Sequence, residues 1–420
     1  MTAIKLLFKN TRPLKYFIFS LTCVVFAAIL TSCEQNPTAP NEPPKPPGYQ
    51  EDIYWPSLAD SPWPMNHHDP QNTGRSKISG FIVGNILAEL EEYFIQTGIS
   101  VSPDSSFYLV TSYPSVIRSF TKEGIEKWNI QLGDYESFVT PAISARGYIY
   151  SIAAQEGLLY QIDLTGKIKW IYQDPYPIWQ SGISIGLDET IYFVNSNNEL
   201  KAIDLYGNLI WSVSNQKFGT STQSFTVFSP DGKTLYIPGE NTVSLVAFDI
   251  ISQQIKWEVG QTPLLAPPVI NSGGDAYIFC SIEDINESRP SLFCISEKGE
   301  IHWDYDYQKD HSIPIINNSG GALDRYGNFY FAEDTLYKVD YNGNQKWKKS
   351  LDVTNWTPII VDVNDNIFVT TINKIYKFDQ SGNQITTTDL NTITGGSPAI
   401  SYGGKVLIPS WKSKEIFIIN

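Results

Sequence analysis

The chain has 420 residues, 42% apolar and 13% aromatic, with 44 Asp and Glu against 30 Lys and Arg and a formal charge of −14. A surface this acidic repels phosphate backbones and anionic headgroups, which excludes nucleic-acid binding and electrostatic attachment to membranes. The apolar content supports a large core, and beyond the N-terminus no stretch keeps a 3.6-residue period, which excludes a helical architecture.

Lys5, Lys9, Arg12 and Lys15 precede the apolar run YFIFSLTCVVFAAIL. A basic start followed by a short apolar segment is the pattern of an export signal, predicted over residues 1–32. That segment holds four cations and no acid, so the remainder carries −18. Its end, Leu30-Thr31-Ser32-Cys33, resembles the lipobox of bacterial lipoproteins. The resemblance implies that Cys33 is lipidated and becomes the mature N-terminus. Glu34 stands where the inner-membrane retention signal has Asp, which implies the outer membrane, on either its periplasmic or its surface side. The lipid is then the sole membrane attachment, stable with two or more acyl chains. Proline clusters over residues 33–62 predict an extended, polyproline-like tether.

WPMNHHDPQNTGRS follows, Trp63 to Ser76. Adjacent histidines on extended backbone point in opposite directions, so His67 and His68 are not expected to share a metal ion. Asp69-Pro70 and Asn72-Thr73-Gly74 supply turns. The segment is expected to be a clasp, with Trp63 and Met65 packing on the rim of the following domain. His302 and His311 do not complete a metal site.

From there the chain repeats. LYQIDLTGKIKW (159–170), LKAIDLYGNLIW (200–211), LVAFDIISQQIKW (245–257), LFCISEKGEIHW (292–303) and LYKVDYNGNQKW (336–347) are the clearest copies. Trp128, Trp170, Trp211, Trp257, Trp303 and Trp347 fall 41 to 46 residues apart. Each copy is preceded by a hairpin-like element such as GISIGLDETIYFV or TPIIVDVNDNIFV. Four short strands per roughly 42 residues, in series, predict an all-β propeller with four-stranded antiparallel blades. The count is eight if GNILAEL (84–90) is a fourth strand and IFIIN (416–420) a third. The last blade is then closed by the N-terminal strand, with 86–90 beside 416–420, and the domain spans 63–420. Asp163, Asp204, Asp249, Asp340 and Asp379 recur once per blade at one turn, which suits amide capping rather than catalysis. Asp362 to Asn366 read as a turn rather than a calcium loop. Cys280 and Cys294 sit in a hairpin that, folded about its middle, sets them opposite one another. A disulfide and two buried thiols both remain open.

The repeats resemble the PQQ-binding-like propeller family, which includes quinoprotein dehydrogenases and the propeller lipoprotein of the outer-membrane β-barrel assembly machine. The family's docking motif of a small residue, Asp, Gly and Trp is matched by Ala202, Asp204, Gly207 and Trp211; two further copies keep Asp, Gly and Trp. Gln253 replaces the glycine in one blade, and Ala88 and Thr386 lack the indole, so docking is expected to be weakest at the closing blade. The resemblance implies either a non-catalytic interaction propeller without cofactor or an enzyme with PQQ and calcium. The adjacent cysteines and calcium ligands of the enzymes find no match. Trp179 with Gln180, Trp356 and Trp411 fall outside the repeat register and, with His311 in a long loop, are expected to line one mouth of the channel. There they suit a protein or peptide partner of the cell envelope, or a glycan, and the molecule is expected to be a monomer.

Overall fold

A computed structural model describes residues 44–420 apart from 82–83, 85, 90–96, 180–181, 221–224, 261, 265, 285–286, 308–319, 333, 353–357, 391–392 and 411–415. Residues from Gly48 onward form one compact unit. It contains eight four-stranded antiparallel sheets, the blades of an eight-bladed propeller. The first blade runs Ser100–Val101, Phe107–Thr111, Ser115–Phe120 and Glu126–Gly133, from the axis outward. Six more follow in the same order, with innermost strands beginning at Ala142, Ser184, Val227, Val269, Ala322 and Ile360. The eighth takes three strands from the C-terminus, Ala399–Ile400, Val406–Pro409 and Ile416–Ile419, and its outermost from Ile86–Glu89. Ile86 pairs with Ile419 and Glu89 with Phe417, so the ring closes as the repeat count predicts.

Second and third strands are covered by neighbouring blades on both sides, and the second strands read as nearly continuous apolar runs. Ile191–Val194 is buried throughout. Outermost strands alternate instead, as in Ile168–Gln173, because only one face meets a neighbour.

Docking between blades is indole on glycine. Trp170 donates its Nε1–H to the Leu205 carbonyl of the next blade at 2.9 Å. Its ring lies so close to Gly207 (φ +87°) that a Cβ there would sit 2.8 Å away. The same contact joins Trp128 to Gly166, Trp257 to Gly299, Trp303 to Gly343 and Trp347 to Gly382. Trp211 meets the blade that lacks the glycine and packs on Phe248, with centroids 6.1 Å apart. The aspartates cap these turns: Asp204 Oδ1 accepts from the Tyr206 and Asn208 amides at 2.9 and 2.8 Å. Behind each indole stands a second-strand tyrosine. Tyr108, Tyr150, Tyr192, Tyr236, Tyr277 and Tyr330 lie 5.7 to 6.0 Å from their tryptophans.

The alternatives left open for the cysteines are resolved by register, and the end of the tether is corrected. Cys280 pairs with Ser291 and Cys294 with Tyr277, so the hairpin is three residues out of the register a disulfide needs. The thiols belong to core clusters on opposite faces of the blade, and both are free and buried. Burial pushes the Cys280 thiol up to about 11. The tether, expected to reach residue 62, gives way to packed structure at Gly48: Gln50, Trp55, Ser57, Leu58 and Ala59 are buried.

From Gly48 the chain runs over the first-to-second-strand turns. Gln50 N–H bonds the Arg325 carbonyl, Trp55 Nε1–H the Ile185 carbonyl and Ala59 N–H the Ile143 carbonyl. Residues 63–76 then circle the axis. Residues 78–81 and Gly84 lie at the junction between the seventh and eighth blades, where Thr386 stands in place of the docking indole. There Phe81 meets Phe368 edge-on at 5.2 Å, Lys377 Nζ donates to the Phe81 carbonyl at 2.6 Å, and Thr388 Oγ1 to that of Gly84 at 2.6 Å. The absent tryptophan is thus the gap through which the chain passes to reach the eighth blade.

Gly207→Ala forces a side chain into a left-handed conformation and against the indole, and should cost about 2–4 kcal/mol. Gly403 has a similar φ of +76° but nothing within 4 Å, so Gly403→Ala should cost only about 1–2 kcal/mol. Chemical denaturation of the two variants checks this, and equal losses would refute docking by close approach.

Candidate functional site

Antiparallel order places the first–second and third–fourth turns at one end of the ring. The second–third loops and the connections between blades lie at the other. The N-terminal segment covers the first end, the collar face; the second is the loop face.

The collar has a regular basis. The second residue of an innermost strand directs its amide to the axis, where no further strand can pair it. Residues 63–74 supply the acceptors. Val101 N–H bonds Trp63 O, Ile143 bonds Pro64 O, Phe228 bonds Pro70 O, Ile270 bonds Gln71 O, Leu323 bonds Thr73 O and Val361 bonds Gly74 O, at 2.7 to 3.0 Å. Each buried amide left unpaired would cost about 1–3 kcal/mol. The sequence reading expected a clasp, but on the rim; Trp63 is fully buried and Met65 nearly so, beside the axis.

The histidines are not on extended backbone either. His67 and His68 have φ of +52° and +83° and Asn72 +59°. Each conformation costs about 1–2 kcal/mol and is held by side-chain bonds. His67 contacts Asn72 Oδ1 at 3.0 Å and the Ile359 carbonyl at 2.9 Å, while Asn72 Nδ2 donates to Pro268 O at 2.8 Å. His68 contacts Asp69 at 3.1 Å and meets Trp63 edge-on at 5.2 Å. The two rings therefore serve different partners. Burial pushes His67 below its ordinary value, against the pull of Ile359 O and Asp69. Burial would raise Asp69, but bonds from His68 and Thr73 hold it below the usual carboxylate range. Arg75 joins the two laps: its guanidinium donates to Glu51 O at 3.0 Å and Asp52 Oδ1 at 3.1 Å.

On the loop face Trp179 lies in the connection from the second blade to the third. It is half-buried and packs on the cluster those blades share. Gln180, His311, Trp356 and Trp411 lie outside the described residues. In the same connection is a group the sequence reading missed. Lys201 Nζ lies 2.7 Å from Asp174 and 3.3 Å from Glu199, and Asn195 Nδ2 donates to Asp174 at 2.9 Å. Burial lowers Lys201, but Asp174 more than compensates and its ammonium is held above the ordinary value. Lys201 occupies a third-strand position beside a docking position, where its alternation with Leu200 and Ala202 was the available signal. Farther round, Lys217, Glu240, Asn241 and Glu258 line a cleft of about 360 Å³. The fifth blade's hairpin, Ala276–Asp284 and Glu287–Ile295, stands above this face: its outer strand pairs only with Leu292–Ile295.

Among the described residues no three His, Cys, Asp or Glu side chains could hold a metal ion. The repeat aspartates cap turns, and the two cysteines lie on opposite faces of their blade. Nor is any described helix long and apolar enough to cross a membrane.

Indole-docked four-stranded blades closed by the N-terminal strand define a β-propeller of the quinoprotein type. A family model described as outer membrane protein assembly factor BamB matches residues 63–305, and the chain belongs to that family. No curated protein sequence matches. Among solved structures, BamB from Moraxella catarrhalis aligns with a TM-score of 0.58 at 11% identity, over 80% of this chain and 98% of that one. A europium-containing methanol dehydrogenase aligns at 0.60 and 12%, over 83% and 89%. Sqt1 of Saccharomyces cerevisiae aligns at 0.62 and 11%, over 80% and 99%. These likenesses share the fold.

Two predictions follow from the collar. Between its ordinary value of 6.5 and its lower folded value, His67 binds a proton in the unfolded chain but not in the folded one. Stability should therefore fall as pH drops through about 6.5 toward the lower folded value, and His67→Gln should flatten that slope in denaturation curves. Arg75→Ala should release the outer lap while the ring stays folded. Limited proteolysis would then cut within residues 48–61 much faster than in the parent protein, with the β-sheet circular dichroism unchanged.

Proposed function

We propose that this protein is a non-catalytic, lipid-attached propeller that serves as a protein-interaction scaffold at the cell envelope. One observation carries the reading. Among the described residues, the repeat aspartates and the histidine-bearing segment serve the ring's own turns and collar, and the N-terminal segment covers one end of the ring and not the end that carries the second-to-third-strand loops. Such a rigid platform with variable loops at one end suits recognition of a protein or peptide. Family membership supports an assembly role, and the export pattern with Cys33 supports attachment at the outer membrane.

In the native host, Cys33→Ala should move the protein from the membrane to the soluble fraction. A photo-crosslinking residue at Asn197, on the loop face, should yield a discrete protein adduct in intact envelopes. Titration with PQQ and calcium should give neither stoichiometric uptake nor dye reduction; both together would overturn the reading in favour of a dehydrogenase.

A further inference from the structure

The collar decides which end of the ring the tether leaves from. A Cβ on Gly48 would sit 2.6 Å from the Tyr341 ring and 2.8 Å from the Tyr326 carbonyl. Both belong to collar-face turns of the sixth blade, so the chain joins the ring at that face. Between Cys33 and Gly48 lie residues 34–47, six of them proline. Polyproline geometry gives this segment a reach of about 45 Å, about half of what a tether ending at residue 62 would have.

That reach limits orientation. To lay the loop face on a bilayer, the tether must pass over the outer strands of the sixth blade, descend its side and clear the loops. At about 4.8 Å per strand and 3.3 Å per residue the detour is on the order of 30–40 Å, nearly all of the available length. The fifth blade's hairpin also stands in the way. With the collar face down there is no detour.

The collar face also carries side chains suited to a headgroup layer. Tyr54, Tyr206 and Ile251 are 83%, 72% and 74% exposed, and Tyr326, Tyr341 and Tyr402 are partly so. Tyrosine places an apolar ring and a polar hydroxyl across such a boundary. The loop face has exposed tyrosines too, Tyr113, Tyr135 and Tyr176, so aromatic content alone does not separate the two ends. The tether's point of departure does.

We infer that the collar face is turned toward the lipid surface, where its tyrosines meet the headgroup region, and that the loop face points away from the membrane toward partners. The inference rests on attachment through Cys33. Collar-face contact adds a weak interfacial term to the acyl anchor and fixes the ring's orientation.

The test uses the full-length lipidated protein in phosphatidylcholine vesicles containing nitroxide-labelled lipid. Tyr206→Cys and Ser381→Cys carry a fluorophore on collar-face turns, and Asn197→Cys carries one on the loop face. The native thiols Cys280 and Cys294 are buried and stay unlabelled in the folded protein. Vesicle flotation is measured first. Flotation with quenching several-fold stronger at residues 206 and 381 than at 197 is the expected result. Flotation with equal quenching, or with stronger quenching at 197, overturns the orientation while leaving attachment intact. Failure to float overturns attachment and the orientation with it.

Discussion

A closed ring of blades leaves one backbone amide per innermost strand aimed at an axis where nothing in the repeat can pair it. That constraint shapes the rest of this molecule. Two-residue innermost strands are too short to add a partner of their own, and six of the eight blades satisfy the amide with carbonyls of residues 63–74. The collar is therefore part of the ring's hydrogen-bond inventory, because buried donors without partners would cost as much as the whole net stability of a domain.

The collar in turn fixes the rest of the N-terminal path. A chain that has circled the axis must get out to supply the outermost strand of the eighth blade, and it can do so only where two blades are not sealed by an indole. Thr386 stands where tryptophan would close that junction. Phe81, Lys377 and Thr388 rebuild it around the crossing chain. What reads in the repeat as a weak docking point is a passage, stitched by bonds of another kind. Covering one end of the ring with its own sequence also makes the two ends unequal. Turns and collar are consumed internally, while the loops at the other end carry the buried Lys201–Asp174 pair, the cleft beside Lys217 and the projecting hairpin.

Much of this was legible in the sequence because the repeat is local. Strand, turn and docking residues recur within about forty residues, and each turn aspartate caps amides two to four positions away, so periodicity alone gives the blades, their number and the closing strand. The candidate site was far less legible. Trp179 is out of register with the docking tryptophans and does lie on the loop face, yet its half-buried packing on the neighbouring core was not visible. The Lys201 cluster depends on residues from a strand and from the preceding connection meeting in space. The cysteines show the limit most clearly: the hairpin's bulk places them opposite, and a three-residue difference in register sends them to different faces.

The sequence by itself determined the all-β class, eight blades, the pairing of the first strand with the last and the capping role of the aspartates, because these rest on short-range pattern and on repetition. Only the tertiary structure decided that residues 48–62 are packed rather than tethering, that the histidine-bearing segment runs round the axis rather than the rim, and that the thiols stay apart. Each of these turns on which distant backbone donors and acceptors meet, and no local pattern records the geometry of a ring that the whole chain must complete.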